Sequence, residues 1–105
     1  MAQFDIHTNP DPGSAKVIPY VIEVQSDLLD ELPTVVVLPL ADPSTIEQLP
    51  ILRLNPRVTV EEQPLVVLAQ DMAAVPRRLL SKPIGNLSAQ RNDILAALDF
   101  LFTGF

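Results

Sequence analysis

Apolar and polar residues alternate along much of the chain as they do in β-strands, until a helical spacing replaces this pattern near the C-terminus. Residues Gln3–His7 alternate, and Val17–Val24 is rich in β-branched side chains. Thr34–Leu40 is almost continuously apolar, which predicts a central strand covered on both faces. Three further short strands are predicted at Ile51–Leu54, Arg57–Val60 and Pro64–Ala69.

The last segment, Asn86–Phe105, predicts the one long helix of the chain. The Ser88 hydroxyl is predicted to cap its start and Gly104 to end it. At about 100° per residue, one face is apolar and a narrow stripe of mainly polar residues lies opposite. The apolar face consists of Ile94, Leu95, Leu98, Leu101 and Phe102, and the stripe consists of Asn92, Ala96, Asp99 and Thr103.

Some large apolar residues do not fit this pattern. Phe100 lies beside the polar stripe and the chain ends on Phe105, which predicts a contact surface at the helix end. The alternative is that Phe100 packs on a loop or across a homodimer. Leu28 and Leu29 are adjacent within the polar, turn-like segment Gln25–Leu32, where at least one of them is hard to bury.

Strands followed by one terminal helix predict a mainly β fold. The expected architecture is a small antiparallel barrel or sheet with the helix packed on it. The 105 residues predict one domain over residues 1–105, without internal repeats or a linker.

Charge and composition exclude several classes of function. Seven basic and thirteen acidic residues give a net charge of -6, which disfavours free binding to DNA or RNA and suits a basic protein partner or simply solubility. The absence of cysteine excludes disulfides, thiol nucleophiles and Cys-based zinc sites. No charged, apolar leader opens the chain and no apolar run approaches the roughly 20 residues of a membrane span, so we expect a cytoplasmic protein without membrane contact.

The sequence predicts no catalytic residue, metal or cofactor. The sole histidine, His7, lies in a predicted strand, and a partnership with Ser26, Ser44 or Ser88 would need an unforeseen contact. Metal-binding spacings are absent, and three glycines do not make a phosphate loop. One enzymatic alternative is an RNA-cleaving barrel that uses arginine to stabilise transition-state charge. Its candidate arginines are Arg53, Arg57, Arg77, Arg78 and Arg91, of which the Arg77–Arg78 pair is interpreted as a charged edge strand.

Short segments in a fixed order carry a family resemblance. They are Gln3–Phe4, Val24–Asp30, Val37–Leu40, Asp71–Pro76, Leu87–Ser88, and Asn92–Phe102 with Gly104. In order and spacing they resemble the CcdB family, the toxins of CcdA/CcdB toxin–antitoxin modules, over nearly the whole chain.

The resemblance implies a homodimer of SH3-like barrels, each with a terminal helix. It also implies a function by binding, in which the toxin traps DNA gyrase through its A subunit on cleaved DNA and a CcdA-like antitoxin removes it. The gyrase contacts that the family implies fall on Leu28, Leu29, Asn92, Asp99, Thr103, Gly104 and Phe105. Operator DNA would be bound only together with the antitoxin, because this chain is acidic. The antitoxin contacts are not specified by the resemblance, and exposure alone suggests the loop Asn9–Ala15.

Three positions depart from the best-known pattern of the family. Thr103 stands in place of a tryptophan before the terminal glycine, Phe105 in place of a large aliphatic residue after it, and Asp99 in place of a neutral amide. Phe105 or Phe100 is the candidate replacement for the missing ring. The alternatives to a gyrase poison are the RNA-cleaving toxin and a non-toxic homologue that binds the antitoxin or has a regulatory role.

Overall fold

A long central strand organises the fold. The computed structural model describes residues 2–46 and 51–104, and these form an antiparallel sheet of seven strands that curves into a nearly closed barrel, with one α-helix at the C-terminal end. The strands are β1 Asp5–Thr8, β2 Tyr20–Glu23, β3 Thr34–Ala41, β4 Arg57–Val60, β5 Gln63–Val67, β6 Ala73–Pro76 and β7 Gly85–Asn86, and the helix is α1 Arg91–Thr103. The predicted mainly β fold with a terminal helix is confirmed.

Strand β3 is central because both of its edges are paired. The strands follow the order β4-β5-β3-β2-β1-β7, and β6 shares the second edge of β3 with β5. Along β3, Val35 and Val37 pack in one buried cluster while Leu38 and Leu40 pack in another. This alternation is what a strand covered on both faces requires, as the apolar run predicted.

Helix α1 closes the main core of the barrel. Ile94 and Ala97 are fully buried, and they pack with residues of the barrel strands and with Leu87. Leu95 and Leu98 are partly buried against the same core. In the described parts of the chain, no helix is long and apolar enough to cross a membrane.

The start of the helix differs from the prediction. The predicted cap, Ser88, begins a 3₁₀ turn, Ser88–Gln90, and α1 begins only at Arg91, without a side-chain cap. The backbone N–H of Ser88 donates to Asn86 Oδ1 at 2.8 Å. The asparagine therefore satisfies a free donor at this chain reversal, as a capping side chain does.

The first strand is shorter than predicted because of Phe4. Strand β1 begins at Asp5, since Phe4 has a φ of 70°, in the left-handed region that interrupts a strand. Its ring is buried in the main core, and its N–H donates to Glu23 O at 2.7 Å. Burial of the ring offsets the unfavourable backbone conformation.

The predicted strand Ile51–Leu54 is wrong, because this segment is a turn around Asn55. The backbone N–H of Ile51 donates to Asn55 Oδ1, and the N–H groups of Leu54 and Asn55 both donate to Ile51 O. Asn55 is buried and donates from Nδ2 to Val67 O at 3.0 Å. A buried amide that binds its own segment favours a turn over a strand.

The turn predicted between β4 and β5 is confirmed. Glu61 and Glu62 connect the strands with φ values of 50° and 68°, the positive values of a two-residue hairpin. Tyr20 of β2 reaches this hairpin and donates to Glu61 Oε2 at 3.4 Å. Burial, and after it the nearby Glu61 carboxylate, raises the pKa of the Tyr20 hydroxyl.

Candidate functional site

Residues Ser26–Pro33, here named the leucine turn, form an exposed connection between β2 and β3. Every residue of this turn is exposed, and Leu28 leaves 93% of its surface in water. Leu29 is 47% exposed. The prediction that at least one of this pair is hard to bury is confirmed. Adjacent exposed leucines are a candidate surface for a partner.

The leucine turn is connected by hydrogen bonds to the start of the helix. Its short 3₁₀ segment Asp27–Leu29 begins with the Ser26 Oγ accepting from the Leu28 N–H at 3.2 Å. Gln3 donates its backbone N–H to Asp27 Oδ1 at 2.7 Å, and its side chain accepts from Arg91 Nη1 at 3.2 Å. The residue Gln3 therefore joins the leucine turn to the first turn of α1.

The polar stripe of the helix is exposed, as predicted. Asn92, Asp99 and Thr103 all face solvent. Asn92 and Thr103 are eleven positions apart, or about 16 Å along the helix at 1.5 Å per residue. The Thr103 hydroxyl donates to Asp99 O at 2.7 Å, so this side chain offers a partner chiefly its methyl group.

Residues Asp99–Gly104, here named the helix tail, form the free end of α1. Gly104 has a φ of 79° and donates its N–H to Phe100 O at 2.9 Å, which ends the helix with a left-handed residue. A Cβ at Gly104 would meet nothing within 4 Å, so the space beside this residue is open. Phe105, the last predicted contact residue, lies outside the described residues.

Phe102 belongs to this exposed surface, although its helical spacing placed it on the apolar face. Its ring is 67% exposed. The buried part of the helix consists of Ile94 and Ala97, and Phe102 lies more than a turn beyond them. The position of Phe102 near the end of a long helix could have indicated its exposure, because a barrel of short strands covers only the first turns of such a helix.

Phe100 behaves in the opposite way. It is partly buried, and the guanidinium carbon of Arg53 lies 4.6 Å from the centre of its ring. Arg53 belongs to the turn segment that precedes β4, so the structure favours the alternative that Phe100 packs on a loop. Phe102, and not Phe100, is thus the free ring of the helix tail.

The predicted contact residues fall in two places on the chain. Leu28 and Leu29 lie on the leucine turn, which Gln3 links to Arg91. The helix tail begins eight residues beyond Arg91, which corresponds to about 12 Å of helix. The structure therefore joins the leucine turn to the Asn92 end of the stripe and places the tail at the far end.

A buried polar cluster lies behind the leucine turn. His7 is fully buried, with Nδ1 2.7 Å from Ser81 O and Nε2 2.6 Å from Glu23 Oε2. A carbonyl oxygen only accepts, so Nδ1 carries a hydrogen, and the other short contact requires a hydrogen between Nε2 and the Glu23 carboxyl group. Arg77 Nη1 approaches the second oxygen of Glu23 at 3.5 Å.

This arrangement gives His7 a structural role. Both of its ring nitrogens are engaged, and the three candidate serines, Ser26, Ser44 and Ser88, are exposed. The Ser–His pair that the sequence left to an unforeseen contact is not formed. The imidazole instead ties β1 to β2 and to Ser81.

Asp5 brings a third potential metal ligand to this cluster. One ligand atom from each of Asp5, His7 and Glu23 lies within 4.8 Å of the others. However, Asp5 accepts from the Ala2 N–H at 2.7 Å and from Asn86 Nδ2 at 2.9 Å, and the His7 nitrogens have the partners described above. The cluster is thus a hydrogen-bonded network between strands.

Three of the five candidate arginines make contacts within the chain. Arg53 covers Phe100, and Arg91 lies 5.8 Å from the centre of the Phe4 ring. The interpretation of the Arg77–Arg78 pair as an edge strand is wrong, because Arg77–Leu79 is a 3₁₀ turn after β6. Arg77 instead faces the Glu23 carboxylate and the leucine turn.

Comparison with known proteins agrees with this architecture. A family model described as CcdB protein matches residues 3–104. The chain belongs to the CcdB family. It is accordingly a toxin of the CcdB type, from a toxin–antitoxin system, and the resemblance seen in the sequence is confirmed.

A solved structure supports the barrel fold of this CcdB-family chain. Mycobacterium tuberculosis toxin MazF-mt6 matches with a TM-score of 0.68 and 20% sequence identity. The match covers 93% of this chain and 95% of the other. At this identity the likeness concerns the fold.

Proposed function

We propose that this CcdB-family toxin acts by binding the A subunit of DNA gyrase and trapping the complex with cleaved DNA. The observation that carries the proposal is the exposure of large apolar side chains at Leu28 and Leu29, which match contacts that the family implies, and at Phe102, which lies beside the matching position Thr103. Leu28 and Leu29 on the leucine turn and Phe102 on the helix tail leave between 47% and 93% of their surfaces in water. Exposed apolar groups of this size are suited to a protein interface.

Phe102 offers the aromatic ring that Thr103 lacks. It is the immediate neighbour of Thr103 on the tail, and its ring is free where that of Phe100 is held by Arg53. Burying a phenylalanine side chain contributes roughly 1.5–3 kcal/mol, an amount comparable to a contact hot spot. We infer that Phe102 is the main aromatic contact to gyrase, with Phe105 as a second candidate.

The proposed activity is binding without chemistry. Support comes from the engagement of His7 with Ser81 and Glu23, which leaves no free ring nitrogen to act as a base. The contacts of Arg53, Arg77 and Arg91 within the chain support it further, because an RNA-cleaving barrel needs arginines directed at substrate.

The proposal includes the other partners of the family. A homodimer would present two copies of the leucine turn and helix tail, which suits a two-fold symmetric target. A CcdA-like antitoxin would neutralise the toxin, and operator DNA would be bound only in its presence. The net charge of -6 supports this order of binding, since a negative chain repels phosphates until a basic partner joins it.

The experiment is a supercoiling and DNA-cleavage assay with purified gyrase. The unmodified chain should stabilise cleaved DNA, and Leu28→Ala and Phe102→Ala should each require at least about tenfold more protein for the same effect. The matched control is Leu52→Ala, since Leu52 is 81% exposed but lies outside the leucine turn and the helix tail, and this change should alter the effect by less than about twofold.

A folded chain that leaves gyrase unaffected would contradict the proposal. RNA cleavage by the same preparation would then establish the enzymatic alternative. Binding of antitoxin without either activity would establish the non-toxic homologue.

A further inference from the structure

We propose that Arg77 is a positioning residue that holds the leucine turn in its binding conformation. Contacts within the chain support the effect of Arg77 on the turn, and the consequence of that effect for activity rests on the proposed binding to gyrase. Arg77 lies outside the set of contact residues that the sequence predicts.

The leucine turn has no apolar anchor of its own. Every residue of Ser26–Pro33 is exposed, and its 3₁₀ segment contains no buried side chain. Within the turn, the N–H groups of Leu29, Asp30 and Leu32 make short-range bonds to carbonyls three residues back. Bonds of this kind are individually weak in water, so the orientation of Leu28 depends on what reaches the turn from the barrel.

Arg77 reaches the turn with three groups of its side chain and backbone. Its Nε donates to Leu32 O at 3.0 Å and its Nη2 to Leu29 O at 3.4 Å. Its backbone N–H donates to Pro33 O at 2.8 Å. These acceptors are the carbonyls on the C-terminal side of Leu28, so one residue ties down the half of the turn that follows the most exposed leucine.

The position of Arg77 is itself fixed from two sides. Pairing of β3 with β6 places Thr34 opposite Pro76, so Arg77 emerges beside the end of the turn. Its Nη1 lies 3.5 Å from Glu23 Oε1, and the other oxygen of that carboxylate is engaged by His7. A continuous series of hydrogen bonds thus runs from the buried His7–Glu23 pair through Arg77 to the leucine turn.

An arginine is required for this arrangement. Its planar group donates in several directions at once, here to two carbonyls and one carboxylate. A lysine at this position could keep the charge beside Glu23 but would donate from a single nitrogen. Because Gln25 Nε2 also donates to Leu29 O at 3.4 Å, loss of Arg77 should loosen the turn without detaching it.

The first test measures the turn alone. In Arg77→Lys, hydrogen exchange at the amides of Leu29, Asp30 and Leu32 should become about fivefold to tenfold faster, while exchange at the paired amides of β4 and β5 stays the same. Arg78→Lys is the matched control: Arg78 is an exposed neighbour, and its replacement should leave all of these amides unchanged. Unchanged exchange in Arg77→Lys would overturn the proposal.

A second variant separates local from global effects. Arg77→Met removes the charge as well and leaves Glu23 with His7 alone, so it is expected to destabilise the barrel in addition to the turn. If exchange in Arg77→Lys rose equally at the turn and in β4 and β5, the role of Arg77 would be general stability, and the positioning role would be refuted.

The gyrase assay then tests the consequence. Arg77→Lys should need about fivefold to tenfold more protein than Arg78→Lys to stabilise cleaved DNA. Suppose that the turn loosens in Arg77→Lys but the amount of protein needed to stabilise cleaved DNA is unchanged, while Leu28→Ala weakens this stabilisation. The order of the turn then does not affect gyrase binding, and the proposed consequence for activity is wrong. If Leu28→Ala also has no effect, the proposed gyrase contact fails at the turn, while the exchange result still decides the role of Arg77.

Discussion

At the residue scale, the buried carboxyl group of Glu23 determines how several other residues behave. It is 2% exposed and lies between the imidazole of His7 and the guanidinium of Arg77. Buried ionisable groups are tolerated only when they are paired and hydrogen-bonded, and both of its oxygens have a partner. The same group therefore supports the barrel interior and the surface turn.

Replacing Glu23 should destabilise the whole protein. Glu23→Ala leaves His7 Nε2 buried without a partner and releases Arg77, so we expect the free energy of unfolding to fall by about 3–5 kcal/mol. Chemical denaturation measures this value. Glu31→Ala is the matched control, because Glu31 is exposed, and it should change the value by less than about 0.5 kcal/mol. Equal effects of the two changes would refute the structural role of the pair.

The sequence could not reveal this cluster. His7 and Glu23 are sixteen residues apart and Arg77 is fifty-four residues beyond Glu23, so only the pairing of β1 with β2, β2 with β3 and β3 with β6 brings them together. Leu28 was different, because two adjacent leucines in a polar segment conflict with burial whatever the fold. Local conflicts of pattern were therefore predictive, and long-range polar contacts were not.

At the element scale, predictions succeeded where the pattern of apolar residues was long and failed where one residue changed the backbone. The apolar run of β3 and the helical conformation of Arg91–Thr103 were assigned correctly, but Ala97, which is buried beside Ile94, was not placed on the apolar face. Strand β1 was predicted too long because Phe4 takes a positive φ, and a strand was predicted at residues 51–54 because the side chain of Asn55 was not seen to hold a turn there. Such single-residue effects leave no periodicity to detect.

The end of the helix provides a prediction at this scale. Gly104 has a φ of 79°, and a Cβ added there would meet nothing within 4 Å. The cost of Gly104→Ala is therefore the left-handed backbone conformation alone, because the methyl group makes no steric clash. The left-handed conformation costs an L-residue about 1–2 kcal/mol. We expect the bond from the residue-104 N–H to Phe100 O to be lost and the helix tail to fray, measured by amide chemical shifts and exchange.

A D-alanine at the same position is the control for this change. It has the same added methyl group but favours positive φ, so it should keep the amide shifts of Phe102 and Thr103 close to those of the unmodified chain. If the L- and D-alanine variants behaved alike, backbone handedness would not be what ends the helix.

At the scale of the whole molecule, the barrel separates a stable interior from surfaces that carry the proposed function. Most apolar strand residues, with Ile94 and Ala97 of the helix, lie in buried clusters. Leu28 and Phe102 lie outside them, on a turn and on the overhanging end of a helix. This separation allows contact residues to change with little cost to folding, which fits the departures at Asp99 and Thr103 from the best-known pattern of the family.

Net charge gives the last prediction, which concerns the rate of association with gyrase. Each chain carries a net charge of -6, and the proposed dimer doubles it, so encounter with a basic surface should be accelerated at low salt. Raising the ionic strength from about 0.05 to 0.2 M should slow association several-fold, because screening shortens the range of the attraction. Dissociation should change little, since Leu28 and Phe102 would hold the complex by apolar contact. Surface plasmon resonance on the immobilised A subunit separates the two rates.

Lys82→Glu makes the chain more negative at an exposed position outside the leucine turn and helix tail, and should raise the association rate at low salt only. An association rate that is independent of both salt and this substitution would show that charge does not guide the encounter, and that the acidity of the chain serves solubility instead.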